Sequence, residues 1–484
     1  MANEILILGA GPAGMACAME LTNAGKKSII IEKEGRVGGL ASTLTFNSKG
    51  HEFRTDIGPH RFFSKNPYLY QFIENLIKEN WIEVPRQTRQ FIDGKFYDYP
   101  IKPLQAFRNI GLKKSLLIMQ SYLESLLAYR ILGRKIESFE DYILANFGRK
   151  LGEFNMLNYT EKIWGTSCKN LHPDWAKQRI KGLNLINAIT NALKKNKSSS
   201  PKTLVDSFYY PQYGTGLIYE TIAEKIKQKK SKIINNSFPE KIYHSKGKIT
   251  KVKIKNGKKT TNYSPKWLVS TIPLTEFMNL MSPSPPIEVM SAVKKLKWRS
   301  QTYLFITLDK KSITKDNWIY FPNKDIPFGR IAEMKNFSKD MSPKDKTSLF
   351  VEFFVTEGDK VWNMSKEELF GLAMPYFEKL GFFKRNEVMD YFLIKKKNVY
   401  PVYDKDYKEN LNIIQKYLDG FKNLQYIGRP GRFRYNNQDH SLEMGILAAK
   451  GINNEKKYNM DEVGNEEEYF EKGDINNGNN KTGN

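Results

Sequence analysis

Residues 4–14, Glu4-Ile5-Leu6-Ile7-Leu8-Gly9-Ala10-Gly11-Pro12-Ala13-Gly14, decide the fold. An apolar strand runs straight into a Gly-x-Gly-x-x-Gly turn, and a helix starts inside it. Gly9 makes the tight turn, Gly11 lets backbone approach a pyrophosphate, and Gly14 lets the helix pack closely on the strand. A diphosphate would then meet the positive end of a helix. Ser28-Ile29-Ile30-Ile31 reads as the second strand and ends at Glu32, near the offset where a carboxylate accepts ribose hydroxyls. A second glycine turn follows in Glu34-Gly35-Arg36-Val37-Gly38-Gly39. The competing reading is a strand-to-helix turn that holds no ligand; the strand, helix and carboxylate around it favour a dinucleotide.

Glu32-Lys33 followed by Arg36-x-Gly38-Gly39 resembles the adenine-nucleotide end of FAD enzymes of the amine oxidase, protoporphyrinogen oxidase and UDP-galactopyranose mutase superfamily. No second Gly-x-Gly-x-x-Gly follows a strand, so FAD is the single dinucleotide expected. The resemblance implies that Gly9, Gly11, Pro12, Ala13, Gly14, Glu32, Lys33, Arg36, Gly38 and Gly39 bind it.

With 484 residues the chain should form two or three domains. It has no run of about 18 apolar residues to span a bilayer, and the apolar start lacks a basic leader and is broken by Gly-x-Gly-Pro. Cys17 and Cys168 are the two cysteines, too few for a disulfide framework, which fits a reducing cytoplasm. His51, His60, His172, His244 and His440 show no metal-ligand spacing, so no metal is expected. The formal charge of +25 comes from dispersed lysines without an aromatic-interleaved basic motif. That argues for a solvated basic surface over nucleic-acid binding, and it remains compatible with a small anionic substrate or an anionic membrane surface.

Along the chain, Arg89–Ile92, Asp93-Gly94 and Lys95–Tyr97 read as a hairpin. From Leu104 to about Leu193 the spacing is helical, as in Leu116-Leu117-x-x-Gln120-x-x-Leu123-x-x-Leu126-Leu127. Strands are expected around Lys246-Gly247, over Lys266–Thr271 and over Gln301–Thr307, with a helix near Lys366–Leu380 and a last helix near Ser441–Lys450. The fold class is therefore α/β: a Rossmann-type FAD-binding domain from residues 1–100, 201–275 and 411–452, a helical insert over 101–200, and a mixed or antiparallel sheet domain over 276–410. Residues 453–484 read as a polar, partly disordered tail.

Further motifs narrow the resemblance. Asp56-Ile57-Gly58-Pro59-His60-Arg61-Phe62-Phe63, then Asn158-Tyr159-Thr160-Glu161-Lys162-Ile163-Trp164-Gly165, Gln178-Arg179-Ile180, Tyr400-Pro401-Val402-Tyr403 and Gly428-Arg429-x-Gly431-x-Phe433-x-Tyr435-Asn436-Asn437-Gln438-Asp439 together resemble UDP-galactopyranose mutase. The resemblance implies Tyr159 on the uracil and Trp164 beside the sugar. It implies Arg179 and Arg330 as a diphosphate clamp, with Tyr435 and Asn437 completing the substrate site. It also places Gly58, His60, Arg61, Gly428, Arg429 and Asp439 around the FAD, with His60 against the flavin ring and the last helix aimed at it. Each has a plainer reading: Tyr159 and Trp164 as core aromatics, the arginines as surface charge, His60 as a hydrogen-bonded histidine, and Asp439 as a helix cap. One departure is Asn436-Asn437, where the mutase pattern usually carries an aspartate.

The resemblance implies interconversion of pyranose and furanose forms of a nucleotide sugar through reduced-flavin N5 chemistry, with no catalytic side chain required and with room for a homodimer. The alternatives are an FAD-dependent oxidase or desaturase that takes a hydride from an organic substrate, and a flavin-binding module without catalysis.

Overall fold

The computed structural model describes residues 5–64, 66–99, 101, 103–176 and 207–464. The strand Ile5–Leu8 sits at the centre of a five-stranded parallel sheet in the order Leu424–Tyr426, Trp267–Ser270, Ile5–Leu8, Ser28–Ile31, Lys232–Ile234. Every residue of Ile5–Leu8 and Ser28–Ile31 is buried, as a parallel sheet covered on both faces demands. Ile5 and Ile7 pack into helices Pro12–Asn23, Pro67–Ile77, Gly216–Gln228 and Gln438–Asn453. Leu6 and Leu8 face the other way, into a core shared with Ile242, Val252, Val289 and Ile414. That second face is covered partly by a four-stranded sheet containing the antiparallel pair Ser237–Ser245 and Lys248–Asn256.

A seven-stranded sheet forms the opposite half. Its order is Val388–Pro401, Trp298–Leu308, Thr347–Val355, Arg330–Glu333, Trp318–Tyr320, Thr88–Ile92, Lys95–Asp98. All pairs are antiparallel except Trp318–Tyr320 with Thr88–Gln90, so the sheet is mixed. The hairpin Thr88–Asp98 therefore leaves the dinucleotide half, where its place within residues 1–100 put it, and extends this sheet. An isolated hairpin is marginal in water, and the open edge of Trp318–Tyr320 supplies the missing neighbour. Helix Lys366–Lys379 seals one face of the sheet against Leu304, Ile306 and Val351.

The helical stretch contains Pro103–Ile110, Leu112–Leu126, a wider π-helical turn over Leu127–Ile131, Phe139–Phe147 and Leu157–Trp164. The last helix starts at Gln438, three residues before the sequence signal, because Asn437 caps it. The first part of the polar tail is docked: Met460 and Val463 are buried beside the first helix, and Arg432 bonds Asp461 at 2.5 Å. Among the described residues no helix is long and apolar enough to cross a membrane.

Candidate functional site

The first glycine turn is built as its spacing requires. Gly9 has φ +97°, and a Cβ there would lie 2.3 Å from Thr271 Oγ1; a Cβ on Gly14 would lie 2.1 Å from the carbonyl oxygen of Gly9. Gly11 differs. It caps the helix that Pro12 begins, its backbone is extended, and a Cβ there meets nothing within 4 Å. Open space thus lies directly over a helix N-terminus.

Glu32 closes one side of this space. Its carboxylate accepts the Ala10 N–H at 2.7 Å and the Glu34 N–H at 2.8 Å, and burial raises its pKa. Two hydrogen bonds leave lone pairs for further donors. The second glycine turn lies against the first: Gly38 N–H donates to the Ala10 carbonyl at 2.8 Å, and a Cβ on Gly39 would come within 3.2 Å of the Gly11 Cα. Lys33 and Arg36 are exposed beside it. Gly428, at φ +77°, brings a third turn to the same place, where an added Cβ would lie 3.0 Å from the Ala13 Cβ.

The last helix reaches the cradle through a close approach that the sequence reading missed. A Cβ on Gly445 would sit 2.3 Å from the Ala13 carbonyl oxygen, so glycine lets two helices meet almost backbone to backbone. Asp439 is buried at the start of this helix, its Oδ1 has no hydrogen-bond partner among the described residues, and burial pushes its pKa up to about 8. The cap is Asn437, which pairs reciprocally with His440. Asn437, expected in the substrate site, is exposed and engaged at the helix start instead.

Buried Asp56 accepts from Thr43, Tyr210 and the Thr215 N–H, which fixes the chain leading to Gly58. Gly58, at φ +95°, faces the Arg330 guanidinium, 3.8 Å from an added Cβ. His60 Nε2 lies 3.0 Å from the Ile57 carbonyl oxygen. Burial, then the charges of Arg429 and Arg330, drop the imidazole to about 4, so it is neutral at pH 7. Arg61 lies over the Trp318 ring at 5.7 Å.

Arg330 is held in a fork by Glu352, Nε to Oε1 at 2.6 Å and Nη2 to Oε2 at 2.8 Å. Glu352 also accepts from Gln301 at 3.2 Å, and Gln301 accepts the Tyr303 hydroxyl at 2.6 Å. Sequence reasoning passed over Glu352, although one carboxylate inside the apolar run Thr347–Val355 has to be paired, and that was the available signal. Arg429 donates to the Asn436 carbonyl at 2.5 and 2.9 Å and lies over the rings of Tyr435 and Tyr400 at 4.9 and 5.4 Å.

Aromatic rings surround the two arginines. Tyr159 meets Tyr320 edge-on at 5.5 Å, and Tyr400 stacks on Tyr435 at 5.6 Å. Burial keeps the hydroxyls of Tyr159 and Tyr400 protonated, the latter pushed up to about 12. Trp164 is 2% exposed, edge-on to Trp175 at 4.8 Å, with its indole N–H unbonded among the described residues. This is the core-aromatic placement, and it leaves Tyr159 as the more accessible ring of that helix. Lys162, between them, sends its ammonium into the carbonyls of Phe321, Asn323, Ile326 and Phe328 at 2.5 to 3.2 Å, tying the helix to the loop before Arg330. Arg179 lies outside the described residues. His60, Tyr159, Arg330, Tyr435 and Arg429 therefore converge, whereas Trp164 and Asn437 serve packing and capping. Among the described residues no group of three or more His, Cys, Asp or Glu could hold a metal ion.

Comparison with known proteins fits this geometry. Residues 12–393 match the family described as flavin containing amine oxidoreductase. An L-amino-acid oxidase of Bothrops pauloensis is 21% identical over 421 residues, covering 77% of this chain and 76% of that enzyme. One from Bungarus fasciatus is 28% identical over 121 residues, and the match spans 21% of this chain and 22% of the enzyme's length. The crystal structure of reduced UDP-galactopyranose mutase superposes with a TM-score of 0.80 at 22% identity, covering 94% of each chain. The chain belongs to the flavin-containing amine oxidoreductases.

Proposed function

We propose that the chain binds FAD and interconverts pyranose and furanose forms of a nucleotide sugar. The residues present fit the dinucleotide. Open space over Gly11 would take the diphosphate, Glu32 has lone pairs left that would accept ribose hydroxyls, and the unpartnered Asp439 Oδ1 at the buried start of the last helix would meet a polar group of the cofactor. Bound and reduced, FAD supplies a nucleophilic ring nitrogen for the anomeric carbon, without net redox change.

The observation that carries the substrate class is the cleft's charge. Arg330 is paired with Glu352, and Arg429 lies over the Tyr435 and Tyr400 rings on backbone carbonyls, among protonated tyrosines and a neutral His60. Such a surface attracts an anion rich in hydroxyls and repels an amine cation. Glu352 fixes the Arg330 fork, so the guanidinium offers its remaining N–H groups to a phosphate without first being ordered. Tyr159 gives a face or edge to a base, and Tyr435 a hydroxyl. The imidazole of His60, held on the backbone at Ile57 and neutral, adds no charge to the site.

A second reading is oxidation of an organic substrate, supported by the match to L-amino-acid oxidases, since an arginine also accepts a substrate carboxylate. One experiment separates them. Dithionite-reduced protein incubated without oxygen with UDP-galactopyranose and other UDP-hexoses should yield a ring-contracted product. No ring-contracted product there, together with oxygen uptake by the oxidised protein in air on adding an amino acid or amine, would replace the mutase reading with the oxidase one.

A further inference from the structure

The helix Leu112–Leu126 is inverted. It turns Ser121, Tyr122 and Ser125 into the protein and leaves Leu112, Leu116, Met119 and Leu123 on the solvent side, Leu112 at 65% and Leu116 at 62% exposure. The wider turn that follows carries the stripe on through Leu127 and Ile131, the latter 74% exposed, toward Leu132 and Ile136. Over about 20 residues this makes an apolar ridge roughly 30 Å long. Surface leucines occur singly in soluble proteins; a contiguous row opposite buried serines implies a covering partner.

Charge identifies the partner. Residues 107–137 carry six cations, Arg108, Lys113, Lys114, Arg130, Arg134 and Lys135, against the carboxylates Glu124 and Glu137; Lys114 and Arg134 are also ion-paired with Asp93 and Asp141, and the balance stays positive. The cations stand at both ends of the ridge. In a symmetric contact with a second copy, an antiparallel pairing sets Lys113 and Lys114 against Arg130 and Arg134, and a parallel pairing sets each group against itself. Cations face cations either way, on a chain whose formal charge is already +25. Protein contact surfaces also concentrate their energy in Trp, Tyr and Arg rather than Leu. Leucine, isoleucine and methionine between basic flanks suit a helix that lies in the headgroup region of an anionic bilayer. We propose that this ridge docks the protein on an anionic membrane surface, with the helix parallel to it and no segment crossing. The inference is independent of the reaction proposed above.

Flotation of the full chain with vesicles tests it. Wild-type protein should float with phosphatidylglycerol–phosphatidylcholine vesicles, much less with phosphatidylcholine alone, and less at high salt. Leu116→Glu/Met119→Glu/Leu123→Glu should cut the bound fraction at least about tenfold, since each buried leucine is worth about that factor. Lys113→Glu/Lys114→Glu should also cut it about tenfold or more, at roughly 1 kcal/mol per lost cation with added repulsion. Both variants alter exposed side chains, so their melting curves should stay close to wild type, the loss of the exposed Lys114–Asp93 pair included. Absence of wild-type flotation, or flotation undiminished by the triple substitution, would overturn the proposal. So would a wild-type dimer that the triple substitution splits without any vesicle binding, which would assign the ridge to a second copy.

Discussion

Gly11→Val isolates the cofactor site from the fold. The backbone at Gly11 has φ −74° and ψ −178°, a conformation any residue adopts, and a Cβ there meets nothing within 4 Å. A Cβ therefore adds neither backbone strain nor a clash inside the protein, and the flavin-free stability of the valine variant should move by no more than about 1 kcal/mol. The branched side chain instead fills the space where a diphosphate would approach the helix N-terminus. Two charge-assisted hydrogen bonds lost there, at about 1.5 kcal/mol or more each, amount to at least about 3 kcal/mol, a hundredfold or greater loss of affinity. Gly14→Ala gives the opposite pattern. Its Cβ would sit 2.1 Å from the Gly9 carbonyl oxygen, so it should destabilise the fold by about 1 to 3 kcal/mol or more whether or not flavin is present. Thermal unfolding by circular dichroism reports the first quantity, and the visible flavin spectrum of purified protein the second. A folded Gly11→Val protein that keeps stoichiometric flavin would refute the placement of the dinucleotide.

Arg330→Ala should cost about 3 to 5 kcal/mol in chemical denaturation because it strands the buried Glu352, whereas Arg330→Ala/Glu352→Gln should recover most of that loss. UDP titration of the stable double variant should then weaken by about 1.5 to 3 kcal/mol with flavin content unchanged, and unaltered UDP affinity would remove Arg330 from the clamp. Asp439 has a folded pKa near 8, above its unfolded value, so its contribution to stability is present below about pH 4 and is lost as pH rises through 8. Asp439→Asn should therefore melt higher than wild type at pH 9, with the gap closing at pH 5; identical pH slopes would show that the carboxyl is ionised in the fold.

What the sequence made legible was local. The turn Gly9–Gly14, Glu32 at its strand end and the hairpin at Asp93-Gly94 each follow from backbone geometry over a few residues, and their positions are those that spacing predicts. The partners that complete the cleft are set by long-range pairing. Arg330 meets Glu352 because their strands lie side by side in register, a fact no motif carries, and Gly445 approaches Ala13 across more than 400 residues of chain. Lys162 and Trp164 stand in the motif whose resemblance sets Tyr159 and Trp164 at the substrate, yet one ammonium binds four carbonyls and one indole packs on Trp175, so adjacency to a site is legible and side-chain direction is not. The same distinction governs Leu116, Leu123 and Leu127. Their spacing announces a helix correctly, but periodicity gives only which residues share a face, and the choice of which face turns inward belongs to the neighbours. Here the neighbours take Ser121 and Ser125 instead: Ser121 Oγ accepts the Lys150 N–H at 3.2 Å, and Tyr122 lies so close to Gly148 that a Cβ there would fall 2.8 Å from its backbone. Close helix packing needs small side chains at the contact, which consigns the leucines to the outside and leaves the basic ridge for a surface other than the protein's own core.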